Sequence, residues 1–338
     1  FHRCVEAAQE GRWERQAHGV NERLRRLIWG GVAPTRRRAV WATLTQACGR
    51  RALRPPTWYE DCISAAAASS SFDGSDDKKA AAQSFGEECA QIETLQMPKA
   101  DSRGSGSESD GASRRVLLAF CAHKWTQPHG CRAPSLDGRC LTALAGVAAQ
   151  LLAATGCEED AFWCLLQLAD GGLFDEHDTR TAADLDAVSA ALARRSPGLH
   201  SHLEGIRGHP DGQPDPGGST PGKRVKGLRS FVFGALYRPL LSLRPSSSSS
   251  AQAMAMARLW DVLLLEGRCA LRAAVVETLA ACEGPLLLAK TAHAAAEVLG
   301  DWLADHVDEV LAGMKRDAAT QPWACLSLVS GAQSASAG

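Results

Sequence analysis

The chain has 338 residues, 45% of them hydrophobic and 22% charged, enough to bury a large core as one large domain or two average ones. Its 37 basic and 38 acidic residues leave a formal net charge of −1, so no global field draws it to nucleic acid or to an anionic membrane. Aromatics are only 6%, while alanine and leucine abound and β-branched residues are few, a balance that favours helices over sheets.

In chain order, Leu24, Leu27 and Ile28 share one face of a first helix. Pro34 ahead of the basic run Arg36, Arg37, Arg38 marks the start of a second. Residues 64–82, Ala/Ser-rich around SFDGSDDKK, and 100–113, ADSRGSGSESDGAS, read as low-complexity loop insertions. Loops of this kind cost little to lengthen, because closure entropy grows logarithmically. Val116, Leu117, Phe120 and Cys121 form the next apolar face. The uncharged run from Leu141 to Cys157 is marginal for a membrane span and reads as a buried helix, so no integral membrane segment is expected. Glu158, Glu159 and Asp160 open another helix, where acidic side chains complement the helix dipole, and Phe162, Leu165, Leu166 and Ala169 give it an apolar face. Two more insertions follow, the Pro/Gly-rich 208–227 and the serine run 245–250. Leu271, Ala274, Val275 and Leu279 share a further face. Period-two alternation is essentially absent, so the spacing predicts an all-α protein of about twelve helices without internal repeats.

Twelve cysteines, at 4, 48, 62, 89, 121, 131, 140, 157, 164, 269, 282 and 325, show neither CxxC nor CxxxC spacing. That argues against zinc, and the chain is too long for a small disulfide scaffold. They read as small reduced core residues of a cytosolic protein, with no metal and no cofactor. The chain opens at Phe1 without a signal-peptide pattern and reads as a piece of a longer protein.

Two local patterns imitate functional sites. GGSTPGKR, residues 217–224, nearly matches a phosphate loop, but Arg224 occupies the place where Ser or Thr must hold magnesium, and the setting is a Pro/Gly linker. His200 and His202 stand two apart on a helix, so they point to different faces and make a poor metal pair.

Four ordered segments carry a family resemblance. LRRLIWGGVAPTRRRAVW, residues 24–41, resembles the opening of the TBC (Rab-GAP) domain, with Gly31, Val32, Pro34, Arg37 and Trp41 in the pattern. EEDAFWCLLQL, residues 158–168, is similar to its acidic pair followed by Ala-Phe-Trp, here Phe162 and Trp163. SPGLHSHLEGI, residues 196–206, resembles its Pro-x-Leu-x-x-His-Leu segment, and RLWDVLLLEG, Arg258 to Gly267, its Trp-Asp motif with the trailing Glu-Gly. The resemblance lays the chain out as an N-terminal extension 1–19, a helical TBC-like domain 20–316 with the insertions named above, and a C-terminal tail 317–338. Beside the indole of Trp260, Asp261 and Arg258 are polar groups on an apolar face, and a buried charge must be paired. The expected partner of Asp261 is Arg37.

The resemblance also implies a partner and a mechanism. TBC domains act on GTP-bound Rab-family small GTPases in vesicle traffic, in the cytoplasm and at the periphery of endomembranes. They supply an Arg from an Ile-x-x-Asp-x-x-Arg-Thr motif and a Gln from Tyr-x-Gln-Gly. A guanidinium placed against the charge of a loose phosphoryl transition state is worth roughly 10³–10⁵ in rate. This sequence departs at both positions. In QIETLQMPKA, residues 91–100, Gln91, Ile92 and Glu93 fit, but Leu95 takes the Asp position, Pro98 the Arg position and Lys99 the Thr position. The Gln position falls on Thr142 or on Leu141, depending on which neighbouring segment anchors it. Lys99 or Arg103 are surrogate candidates for the lost Arg, and Gln127 or Gln150 for the lost Gln. Val232 stands where the family's Trp-Phe-x-x-Leu-Phe segment begins. Three classes stay open: an activator with surrogate fingers, a pseudo-GAP that binds its GTPase without catalysis, and a helical scaffold.

Overall fold

The computed structural model describes residues 17–68, 76–94, 106–126, 138–170, 179–206, 231–237, 240 and 250–320. Over these residues the chain is helical and contains no strand. In the N-terminal half, α1 spans Ala17–Trp29, α2 Pro34–Leu44, α3 Ala47–Ala52, α4 Trp58–Ala68, α5 Asp76–Thr94, α6 Gly106–Trp125, α7 Gly138–Thr155 and α8 Glu158–Asp170. In the C-terminal half, α9 spans Thr179–Arg195 and α10 Pro197–Gly205, followed by a π-helical turn at Phe233–Tyr237. There follow α11 Ser250–Glu266, α12 Arg268–Ala281, α13 Glu283–Leu288, α14 Ala292–Asp305 and α15 Val307–Thr320.

The N-terminal half is organised around α8. Ala161, Phe162, Trp163, Cys164, Leu165 and Leu166 are all buried, so this helix is enclosed on every side, as a helix apolar all round must be. It packs on α2, α3, α6 and α7, while α4 and α5 pack on α6. The rings of Phe162 and Trp163 stand edge to face at 4.9 Å, with Tyr59 of α4 against Phe162 at 5.4 Å. Along α7, Leu141, Leu144, Val147 and Leu151 are buried, which accounts for its uncharged run. No described helix is long and apolar enough to cross a membrane.

The C-terminal half packs α9 on α10 and α12, α12 on α15, and α13 on α10 and α14. Buried Asp184 of α9 accepts from Arg268 at 2.7 Å, with Arg272 at 3.4 Å. Glu277 of α12 is buried and pairs with Arg195 at the end of α9. Gly313 of α15 lies against that carboxylate so closely that a Cβ would overlap it. Between α11 and α12 the chain reverses at Gly267, whose φ of 61° is left-handed. Helix α11 joins the halves, touching α1 and α2 on one side and α12 and α15 on the other.

Several loop expectations are corrected. Within 64–82, α4 continues to Ala68 and α5 begins at Asp76, because alanine is the best helix former and Ala66 packs into the core. Within 100–113, Gly106–Ser113 form the first two turns of α6, and Ser113 is buried. Extending a helix already nucleated by the packed face of Val116, Leu117 and Phe120 is cheap even for poor helix formers. Ser250, placed in the serine run, opens α11. The described residues hold fifteen α-helices where about twelve were expected. The insertion 208–227 and its phosphate-loop imitation lie outside the described residues.

No described cysteine forms a disulfide: Cys62, Cys89, Cys121, Cys140, Cys164 and Cys282 are buried, and Cys48 is exposed.

Candidate functional site

Helix α1 ends at Trp29 because the next two residues are glycines, and Gly31 takes φ +99°, a conformation glycine adopts without strain. The chain then enters α2 through Pro34 at the first turn, where a missing N–H costs nothing. Arg37 and Trp41, four residues apart, therefore share one face of α2 and point at α11.

They meet on Asp261, which is wholly buried. Trp41 Nε1 donates to its Oδ1 at 2.7 Å, Arg37 Nε approaches both oxygens at 3.3 and 3.4 Å, and Val32 N–H donates to Oδ2 at 3.3 Å. The expected Arg37–Asp261 pair is present, but the shortest bond comes from the indole. Burial pushes this carboxyl above the ordinary carboxylate range, and the Trp41, Arg37 and Val32 donors pull against it. Every partner is a donor, so we read Asp261 as a carboxylate. Trp260, its neighbour on α11, lies 6.0 Å from the Trp41 ring. Arg258 instead reaches outward, close to Gly31 and 3.9 Å from Asp308.

A second network surrounds α8. Glu158 receives a two-point contact from Arg115 at 2.6 and 2.9 Å, plus the Tyr59 hydroxyl at 2.8 Å. Arg115 foremost holds the Glu158 carboxyl below its ordinary value. Arg51 reaches Glu159 at 2.7 Å, and Arg38 reaches Asp160 at 2.7 Å. At the other end, Asp170 is flanked by Arg50 and Lys124; burial pushes it up, yet those two cations bring it below its usual value. The basic residues of α2 and α3 thus clamp the ends of the central helix.

Beside Phe162 sits the buried His123. Trp58 Nε1 donates to its Nδ1 at 2.9 Å, which leaves the neutral ring protonated on Nε2. Burial foremost, helped by Arg50, Arg54 and Lys124 and opposed by Asp170, lowers His123 to about 4.

Of the positions that the sequence resemblance assigns to the two finger motifs, those described divide between core and surface. Ile92, in the last turn of α5, is buried, while Gln91 and Glu93 are exposed. Leu95, Pro98, Lys99, Arg103 and Gln127 lie outside the described residues. Leu141 is sealed in the core, whereas Thr142 faces outward in the first two turns of α7 and Gln150 lies half-buried two turns further on. Val232 is buried beside the π-helical turn. His200 pairs with Ser189 at 3.0 Å and His202 with the Ala289 carbonyl at 2.9 Å, each tying α10 to a different neighbour. Among the described residues no three His, Cys, Asp or Glu side chains are grouped to hold a metal ion.

Sequence reasoning missed the Trp58–His123 bond and the ion pairs that clamp α8. Partners 65 to 122 residues apart leave no local pattern.

No protein-family model matches the sequence, and no curated protein is similar to it. Among solved structures the chain is similar to the Chlamydomonas flagellar RabGAP TBC domain. The TM-score is 0.60 at 18% identity, over 95% of this chain and 93% of that one. It is also similar to the Ypt/Rab-GAP domain of Gyp1p, with a TM-score of 0.48 at 14% identity, over 94% of this chain and 99% of that one. The all-α fold of this chain is that of a RabGAP TBC domain.

Proposed function

We propose that this chain is a TBC-type module that binds a GTP-bound Rab-family small GTPase at the cytoplasmic surface of endomembranes and gives its hydrolysis weak acceleration or none. Two things support the reading. One is the fold likeness to a RabGAP domain, together with the α1–α2–α11 junction around Asp261. The other, which carries the pseudo-GAP half, is the chemistry of the finger positions that the sequence resemblance assigns. Proline at 98 has no charge and no donor. At the Gln position, Leu141 is enclosed in the core and Thr142 lacks the amide that orients water. Acceleration of phosphoryl transfer by a protein in trans depends on placed charge rather than on covalent chemistry, so a surface without the guanidinium and the amide binds without catalysing.

Single-turnover GTP hydrolysis by a panel of Rab proteins, with and without the chain, tests this. Retention of a GTP-loaded Rab on the immobilised chain with less than about 10²-fold stimulation supports the reading. Stimulation beyond that, abolished by Lys99→Ala with Arg103→Ala, identifies surrogate fingers and refutes the pseudo-GAP half. Retention of none of the GTPases leaves the scaffold reading and refutes the whole proposal.

A further inference from the structure

Helices α1, α11 and α15 meet at a cavity of about 210 Å³. Its floor is apolar, built from Ile28 and Trp29 of α1, Val262 of α11 and Leu311 of α15. Trp29 Nε1, the only polar atom of that indole, donates to Glu266 at 3.3 Å, so the ring offers a ligand its carbon surface. The charged lining residues are Arg258, Asp308 and Lys315. Asp308 and Lys315 share one face of α15, seven residues apart, roughly 10 Å along the axis. Arg258 reaches from α11 to within 3.9 Å of Asp308.

Size and charge together narrow the occupant. Small-molecule and cofactor sites run to about 300–1,000 Å³, so a nucleotide is too large. A cavity of about 150 Å³ accepts benzene, so this one holds a single apolar side chain with the backbone atoms of one residue. The side chains of Arg258 and Asp308 are 43% and 69% exposed. An ion pair that open to water contributes little to the fold, so a ligand can recruit both groups at little cost. A phosphate-bearing ligand would meet Asp308 as well as Arg258. An apolar amine would be attracted by Asp308 and repelled by Arg258, and an apolar acid the reverse. A free α-amino acid carries both signs on one carbon, and can set its carboxylate on Arg258 and its ammonium on Asp308. A polypeptide terminus carries only one of the two. Lys315 at the far end disfavours a basic side chain, and the apolar floor disfavours a polar one.

We propose that the cavity between α1, α11 and α15 binds a free α-amino acid with a large apolar side chain, of the leucine, methionine or phenylalanine type. The side chain rests on Trp29, Val262 and Leu311, and the two charged groups lie antiparallel to the Arg258–Asp308 pair. The ligand touches three helices at once and braces the α1–α11 junction from outside. This site does not depend on the GTPase reading.

Isothermal titration of the intact chain with L-leucine, L-methionine and L-phenylalanine tests it. At least one of them binds with a dissociation constant below about 1 mM. The decarboxylated amine and the deaminated acid of the same side chain each bind about tenfold more weakly or worse, since each loses a charge-assisted hydrogen bond. Glycine, without a side chain, does not bind. Asp308→Asn weakens the amino acid and leaves the acid analogue no weaker; Arg258→Gln weakens the amino acid and leaves the amine no weaker. Ala312→Trp fills the cavity from an exposed lining position and abolishes binding. Circular dichroism checks that each variant is folded, and the analogue series on the unaltered chain decides the matter without them. Three outcomes overturn the proposal. The first is binding of none of the three amino acids. The second is equal binding of amine, acid and amino acid, which leaves an apolar cavity without charge recognition. The third is binding that survives Ala312→Trp, which places the ligand elsewhere.

Discussion

His123 makes the fold sensitive to mild acid, and the size of the effect follows from its surroundings. In the folded chain its Nδ1 accepts from Trp58, rings of Phe162 and Trp163 flank it, and Arg50, Arg54 and Lys124 outnumber Asp170 nearby. Its folded value is lowered to about 4, against about 6.5 for an unfolded histidine. Between those values the unfolded chain holds a proton that the folded chain lacks, so stability rises with pH across the window. The stability His123 contributes is complete above about pH 6.5 and is lost as pH falls towards about 4, at up to about 1.4 kcal/mol per unit. Between pH 7.5 and 5 the loss comes to about 2 kcal/mol, from the same linkage. Glu158 and Asp170, whose values are lowered, contribute stability present above the ordinary carboxylate range and lost below it, outside this window. The assay is urea unfolding at constant ionic strength from pH 7.5 to 5, for the wild type and for His123→Asn, whose amide oxygen still accepts from Trp58. The variant's stability should fall about 2 kcal/mol less across the range. Equal slopes, or a ring resonance that titrates near 6.5 in the folded protein, would refute the reasoning.

Asp261→Ala leaves the buried Arg37 without its carboxylate and orphans the Trp41 N–H, so chemical unfolding should show a loss of about 3–5 kcal/mol; Asp261→Asn, which keeps an acceptor, should lose less. A loss below about 1 kcal/mol for the alanine variant would mean that the junction does not depend on this pair. Gly313→Ala forces the Glu277 carboxylate aside and should destabilise by about 1–3 kcal/mol in thermal unfolding. In a Glu277→Ala background the same change should cost markedly less, and additive losses would rule out the overlap as the cause.

Much was legible in the sequence because helical identity is local. Apolar spacing at 116–121, 162–169 and 271–279 is a one-dimensional signal of a buried face, and each segment is a helix packed on that face; at 24–28 only Leu24 and Ile28 are buried, and Leu27, expected beside them, is 47% exposed. The need for a partner at Asp261 was equally legible, since a carboxylate beside Trp260 on an apolar face cannot stay unpaired. Composition misled where context outweighs it: Gly106–Ser113 reads as linker, yet it extends a helix whose following turns are anchored in the core. Other features were beyond any local pattern. That Trp41 is the closest partner of Asp261, that α2 and α3 clamp α8 through Arg38 and Arg51, and that His123 is shielded by Trp58 depend on helices far apart in the chain. The sequence by itself determined the all-α class, the ordered motifs and the residue types at the positions that the resemblance assigns to the fingers, all properties of short windows. Only the tertiary structure decided that Leu141 is enclosed while Thr142 is outward, and which cation meets which carboxylate, because burial and pairing depend on distances that the chain acquires on folding.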